Sequence, residues 1–197
     1  MRVAVHGASG RLGRLIVAEA GERYAGPVGR AGPVPDCDVV IDVSTPEGLA
    51  ALLPRLSGQP LLVGTTGDLP DLSAYAAGAP VAVVANFSAG VPVLLDLVRE
   101  AVARLSGWQV EVVEAHHAAK RDAPSGTARR LIQAVGREVP AHSLRLGDTV
   151  GEHTVWLAGP GERLELKHVA TRREVFAIGA LRWAESLIDR GPGLIRA

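Results

Sequence analysis

Two adjacent histidines and a lysine, His116, His117 and Lys120, lie just before the run Asp122-Ala123-Pro124-Ser125-Gly126-Thr127. Imidazole exchanges protons near neutral pH and an ammonium group can donate one, so this trio suits proton transfer. Ser125 reads as a helix N-cap. Behind it the amides of Gly126 and Thr127 would point outward as a small anion site, fit for a ligand carboxylate. Three other readings compete: plain capping, loop histidines satisfied by their neighbours, and a His/His/Asp metal cluster. The metal reading lacks the i, i+4 histidine spacing of a helical zinc site, and capping explains neither adjacent histidine. Lysine recurs only at Lys167 in a chain whose other cations are arginine, so Lys120 calls for a local reason.

A second chemical signal lies near the N-terminus, where Arg2–His6 reads as a strand and runs into Gly7-Ala8-Ser9-Gly10-Arg11-Leu12-Gly13 and then a helical stripe. The first glycine permits a tight turn, the second lets a pyrophosphate approach the backbone, and the third allows close helix–strand packing. This placement makes the turn a candidate dinucleotide site. NAD would call for an acidic residue at the end of the second strand, and none is there; Asp36 and Asp38 come too late. Arg11 and Arg30 could meet a 2′-phosphate instead, which favours NADPH over NADH, although Arg30 as a solvated loop cation stays open.

The elements that must position these residues follow from hydrophobic patterning. Strands are expected at Arg2–His6, Pro27–Gly29, Val39–Asp42, Leu61–Val63 and Val81–Val84, with helices at Arg11–Glu22 and Glu47–Leu56. Only a proline-rich loop joins the second and third strands, so the chain is expected to pass the sheet edge and pair on the far side of strand one. After Asn86-Phe87-Ser88-Ala89-Gly90 the pattern changes to a helix at Val91–Leu105, a strand at Gln109–Glu114 and a helix from Ser125 to Val139. A hairpin follows (His153–Ala158 and Arg163–Val169), and then a closing helix from Glu174 to Asp189. The fold class is therefore α/β: a Rossmann-like parallel-sheet domain at 1–87 and 174–197, plus a smaller α+β domain with a mixed sheet at 88–173.

Composition narrows the partners. The 197 residues are 47% hydrophobic with 21 cations and 21 anions, and zero net charge disfavours a nucleic-acid partner. A single cysteine, Cys37, excludes a disulfide framework and a CxxC metal or redox site. No apolar run reaches membrane-spanning length and the N-terminus lacks a signal-like segment, so the expected compartment is the cytoplasm.

Taken together the motifs resemble the 4-hydroxy-tetrahydrodipicolinate reductase (dihydrodipicolinate reductase) family of bacterial lysine and diaminopimelate synthesis. The resemblance rests first on Glu114-Ala115-His116-His117-x-x-Lys120-x-Asp122-Ala123-Pro124-Ser125-Gly126-Thr127-Ala128. Ile41-Asp42-Val43-Ser44-Thr45-Pro46-Glu47-Gly48, Gly64-Thr65-Thr66-Gly67, Ala85-Asn86-Phe87-Ser88, Gly151-Glu152-His153-Thr154 and His168 extend it in family order along nearly the whole chain. It implies a cofactor, NADPH or NADH, lined by Gly7, Ala8, Ser9, Gly10, Arg11, Leu12, Gly64, Thr65, Thr66, Val84, Ala85, Asn86 and Phe87. His116 would be the proton donor/acceptor and Lys120 the proton donor. His117, Gly126 and Thr127 would hold a dicarboxylate substrate beside Ser125, and Arg173 matches an arginine near the interdomain hinge. The family is usually longer, with the shortfall between strands two and three and after the helix that follows Thr127. The resemblance also implies a homo-oligomer, a tetramer in the family.

Other classes fit less well. A short-chain dehydrogenase needs Tyr-x-x-x-Lys, which neither Tyr24 nor Tyr75 provides, and thioester chemistry needs a better-placed thiol than Cys37. A silent nucleotide-sensing module would keep the glycine turn but has no use for His116, His117 and Lys120.

Overall fold

Short runs of Val, Leu and Ile, too short for helices and apolar on both sides, form the strands of a parallel sheet. In the computed structural model, which describes Met1–Ala197, the chain starts with β1 (Val3–His6), α1 (Arg11–Ala20) and β2 (Tyr24–Val28). It continues with β3 (Val39–Asp42), α2 (Pro46–Leu52), β4 (Leu61–Val63), α3 (Ser73–Ala76) and β5 (Pro80–Val83). Next come α4 (Gly90–Arg104), β6 (Gln109–His116), α5 (Gly126–Val135), β7 (Ala141–Arg145), β8 (Gly151–Gly159) and β9 (Glu162–Ala170). The last two elements are α6 (Glu174–Ile188) and β10 (Gly193–Arg196). Two compact units result, Met1–Phe87 with Glu174–Ala197, and Ser88–Arg173.

The first unit is a six-stranded sheet in the order β10-β5-β4-β3-β1-β2, parallel at every pairing. Alternate residues of the strands face opposite layers. Val3, Val5, Ile41 and Leu62 pack with Ile16 of α1 and with Ala177, Ala180 and Ala184 of α6; Ala4, Val40 and Leu61 pack with Leu49, Leu52 and Leu72 on the other side. The small residues of α6 let that helix lie close on the sheet; at Gly179 even a Cβ would fall 1.8 Å from the Phe87 carbonyl oxygen. The loop after β2 carries the chain past β1 to its far side, as its length requires, and Arg55 steadies it by donating to the carbonyls of Gly29 and Gly32 at 2.9 and 2.8 Å.

The second unit is a mixed sheet in the order β7-β6-β8-β9. β6 and β7 are parallel, whereas β6–β8 and β8–β9 are antiparallel. Helices α4 and α5 cover one face, where Leu94, Val98, Leu131, Val112, Val155 and Leu157 form the core.

Several boundaries differ from the patterning. β2 begins at Tyr24, three residues before the expected strand, because its pairing with β1 starts before the apolar stretch. α5 stops at Val135, not Val139, since Gly136 takes the left-handed φ of +76° and its N–H caps the Gln133 carbonyl. The remainder of the expected helix leads into β7, an edge strand of half-buried and exposed residues with no apolar run to announce it. β10 and the one-turn α3 were likewise unmarked by periodicity.

Candidate functional site

The glycine turn joins β1 to α1 as a nucleotide-binding turn must. Gly7 has φ +84°, and a Cβ there would lie 2.6 Å from the Val43 carbonyl oxygen. At Gly13 a Cβ would sit 2.1 Å from the Gly7 carbonyl oxygen, so only glycine lets α1 rest on the turn. The Gly10 N–H closes the turn on the Gly7 carbonyl at 2.9 Å.

A cleft of about 750 Å³ opens above it. Gly7, Ala8, Ser9 and Gly10 line this cleft, together with Arg30 and with Arg14, which the sequence reading passed over. Tyr24, Gly29 and Ser44 line it too, and no carboxylate does. Arg11 and Leu12 fall outside the lining; Leu12 is half-buried against the core. The residues present therefore fit a dinucleotide: a backbone with no Cβ in the way, a helix N-terminus, and guanidinium groups for phosphate.

The remaining cofactor candidates gather at the same strand ends. Gly64 follows β4, and its Cα meets the ring of Phe87 so closely that a Cβ would be 2.5 Å from it. Val84 and Phe87 are buried in the core, Ala85 donates to the Ala197 carbonyl at 3.4 Å, and Asn86 lies between them. Thr65 is buried and Thr66 exposed.

Beneath the turn lies a hydrogen-bond network that the sequence reading missed. Asp42, fully buried, takes His6 Nδ1 at 2.7 Å and Ser44 Oγ at 2.6 Å on one oxygen, and Thr65 Oγ1 at 2.5 Å on the other. Thr65 Oγ1 in turn accepts the Ser44 N–H at 2.9 Å. One carboxylate thus ties the ends of β1, β3 and β4 together below the cleft.

The second unit carries the proton-transfer candidates. β6 ends at His116, and the following loop brings Lys120 back so that its N–H donates to the His117 carbonyl at 3.0 Å. The Lys120 ammonium donates to Asp122 at 2.8 Å, which holds that carboxyl below its usual range. Ser125 caps α5 as the spacing predicts, its Oγ accepting the Ala128 N–H at 3.1 Å. Around Gly126 a Cβ would meet nothing within 4 Å, so the helix N-terminus is open where a carboxylate would dock. His117 and Thr127 are both partly buried. Arg173 is the exposed last residue of this unit in sequence.

His116 is anchored from below. Its Nδ1 is hydrogen-bonded to Glu114 Oε2, and the other oxygen of Glu114 accepts from Arg145 Nη2 at 2.8 Å and from the Ser125 N–H at 3.3 Å. Burial opposes ionisation of Glu114, yet hydrogen bonds from Arg145, Ser143 and His116 outweigh it and hold the carboxyl at about 2. Burial lowers the His116 imidazole, partly countered by Glu114 and reinforced by the Lys120 and Arg145 charges. His153, directly across the sheet from Glu114, is pushed down to about 4 chiefly by burial and stays neutral. Its ring meets that of His116 edge-on with centroids 5.1 Å apart, and its Nε2 shares a hydrogen bond with Ser125 Oγ at 3.2 Å.

Comparison with known proteins points to one family. The family model described as dihydrodipicolinate reductase, C-terminus, covers residues 90–197. The 4-hydroxy-tetrahydrodipicolinate reductase of Xanthomonas campestris pv. campestris (strain B100) is 40% identical over 227 residues, spanning 100% of this chain and 95% of the relative. That of Stenotrophomonas maltophilia (strain R551-3) is 42% identical over 228 residues with the same coverage. Both alignments run longer than this chain, so each relative carries segments that are omitted here. Among solved structures, dipicolinate-bound dihydrodipicolinate reductase from Paenisporosarcina sp. TG-14 shares the fold at TM-score 0.79 and 21% identity, covering 100% of this chain and 97% of that one. The DAP dehydrogenase of C. glutamicum, in complex with DAP, shares it at TM-score 0.59 and 13% identity, covering 100% and 92%. Identity of this order along the entire chain, on a fold with this turn and this histidine loop, places the protein in the dihydrodipicolinate reductase family.

Proposed function

We propose that the chain reduces 4-hydroxy-tetrahydrodipicolinate to tetrahydrodipicolinate with a nicotinamide coenzyme, the first unit holding the coenzyme and the second the substrate. The observation that carries this reading is His116, locked on a buried carboxylate beside the open, Ser125-capped N-terminus of α5. The reaction removes water from the cyclic imine and adds one hydride and one proton. When bound, the reduced nicotinamide supplies the hydride, to ring carbon four. The chain's own groups do the rest. Gly126 and Thr127 with His117 hold a substrate carboxylate at the helix N-terminus, His116 and Lys120 move the proton to the neighbouring carbon, and Arg173 assists the acid groups. Gly7 to Leu12, Gly64 to Thr66 and Val84 to Phe87 hold the coenzyme at the carboxyl ends of the parallel strands.

NADPH is the preferred coenzyme in this reading, because Arg14 and Arg30 line the cleft and no acidic residue is there to take a ribose 2′-hydroxyl. A coenzyme sensor without catalysis would leave the histidine loop without a task. The chain forms a homo-oligomer, a tetramer by family likeness, through the uncovered face of the mixed sheet, where Leu144, Trp156 and Val169 are exposed. No helix is long and apolar enough to cross a membrane, and we place the reaction in the cytoplasm.

The test is coenzyme oxidation with and without the dicarboxylate imine, with kcat/KM for NADPH and NADH measured side by side. Oxidation that depends on the imine, with NADPH favoured and Arg30→Ala lowering kcat/KM for NADPH alone by about tenfold, is the expected result. Coenzyme binding without imine-dependent turnover would overturn the assignment.

A further inference from the structure

We propose that Glu114 is a positioning residue for proton transfer: it fixes the His116 ring so that Nε2, and only Nε2, exchanges the proton. This rests on the assignment of His116 above and adds a residue with its own role. An ionised carboxylate has acceptors but no donor, so the His116 Nδ1 facing Glu114 Oε2 must carry hydrogen in both charge states of the ring. The proton that comes and goes is therefore on Nε2.

The surroundings keep that arrangement in place. Glu114 is 1% exposed, and its second oxygen is taken by Arg145 and the Ser125 N–H, so the carboxylate can neither turn away nor be drawn into solvent. Its register neighbour on β7 is Ser143, which also hydrogen-bonds it. Space beside Nε2 is kept by Gly151, where a Cβ would sit 3.2 Å from that nitrogen. The charged or titratable groups facing His116 are Glu114 on β6, Lys120 on the loop, Arg145 on β7 and His153 on β8. Of these only Glu114 favours the protonated ring. The same carboxylate also holds the N–H of Ser125, the N-cap that precedes the Gly126 and Thr127 amides, so proton donor and anion site are referenced to one buried group.

The test is ring-nitrogen NMR of 15N-histidine-labelled protein, with His116→Gln used to assign the signal, alongside pH profiles of kcat for wild type and Glu114→Gln. The wild type should show the Nδ1–H tautomer at His116 above its pKa. In Glu114→Gln the His116 pKa and the corresponding limb of the kcat profile should both move to lower pH by about one unit, and kcat should fall about tenfold or more. A wild-type Nε2–H tautomer, or a folded Glu114→Gln with an unmoved limb, would overturn the proposal. If Glu114→Gln does not fold, the wild-type tautomer alone decides. A wild-type chain that does not turn over the imine would sink the reductase reading, and the tautomer measurement would still judge Glu114.

Discussion

Asp42 offers a quantitative test of how the strand ends beneath the glycine turn are held together. In Asp42→Asn the amide oxygen can stay towards His6 and Ser44, and the amide nitrogen then faces Thr65 Oγ1. That oxygen already accepts the Ser44 N–H but has a lone pair to spare, so only the Thr65 hydroxyl proton loses its acceptor. One orphaned buried hydroxyl costs about 1–2 kcal/mol. Asp42→Ala removes every acceptor. Ser44 Oγ has a fallback in the Thr45 carbonyl at 3.3 Å and can itself accept from His6 Nδ1 at 3.1 Å, so only the Thr65 hydroxyl is stranded, and a small void is left. One stranded hydroxyl, two longer replacement bonds and the void come to about 3 kcal/mol. The measurement is urea unfolding followed by Trp183 fluorescence, with Trp108 and Trp156 replaced by phenylalanine so that the signal comes from α6 in the first unit. Equal losses for Asn and Ala, or a loss below about 1 kcal/mol for Ala, would refute the idea that this carboxylate braces the three strand ends.

Acid should destabilise the second unit in two overlapping windows. As pH falls below 6.5 the unfolded chain protonates His153 while the folded one does not until about 4. From 4.5 down to about 2 the unfolded chain likewise protonates Glu114 first. In both windows the unfolded state binds more protons, so stability is lost as pH falls, by about 3 kcal/mol for each group. Denaturant unfolding of wild type and His153→Phe between pH 7 and 4 should show a smaller first loss in the variant, the remainder coming from His116 and His168, whose imidazoles burial also lowers. Lys120→Arg retains the charge and can keep the pairing with Asp122, yet guanidinium does not release a proton in a protein, so kcat should drop about a hundredfold with the fold intact. Near-normal turnover in that variant would mean that Lys120 only neutralises charge. Trp156→Glu should reduce the proposed homo-oligomer to smaller species in sedimentation velocity without changing its circular dichroism; an unaltered sedimentation coefficient would clear this face of the interface.

The parts of the fold that could be read in the sequence are those in which one residue type repeats for one reason. β1, β3 and β4 are unbroken apolar runs because both faces are buried, and two of the three were placed to the residue. β7 escaped because an edge strand with one open face needs no apolar run, and its Ala-His-Ser-Leu-Arg looks like loop. At the site, the Ser125 cap and the glycine turn were legible since their chemistry is local. The groups beneath were not. Asp42 finds His6 36 residues away and Arg145 finds Glu114 across 31, and such pairings exist only once strand register is set. Arg14 was passed over for Arg11, one turn earlier on the same helix, because sequence alone does not say which side of α1 faces the cleft.

The route of the backbone has a consequence for synthesis. α6 and β10 close the first sheet, yet they are made after the whole of the second unit. As the nascent polypeptide emerges, residues 88–173 have all their partners and can settle, whereas the first unit waits with its α6-facing layer bare until α6 leaves the ribosome. Moving residues 174–197 ahead of Met1, through a linker long enough to pass from the end of β10 across three strands to the start of β1, would let that unit mature first, and the permuted protein should refold with less aggregation than the natural order.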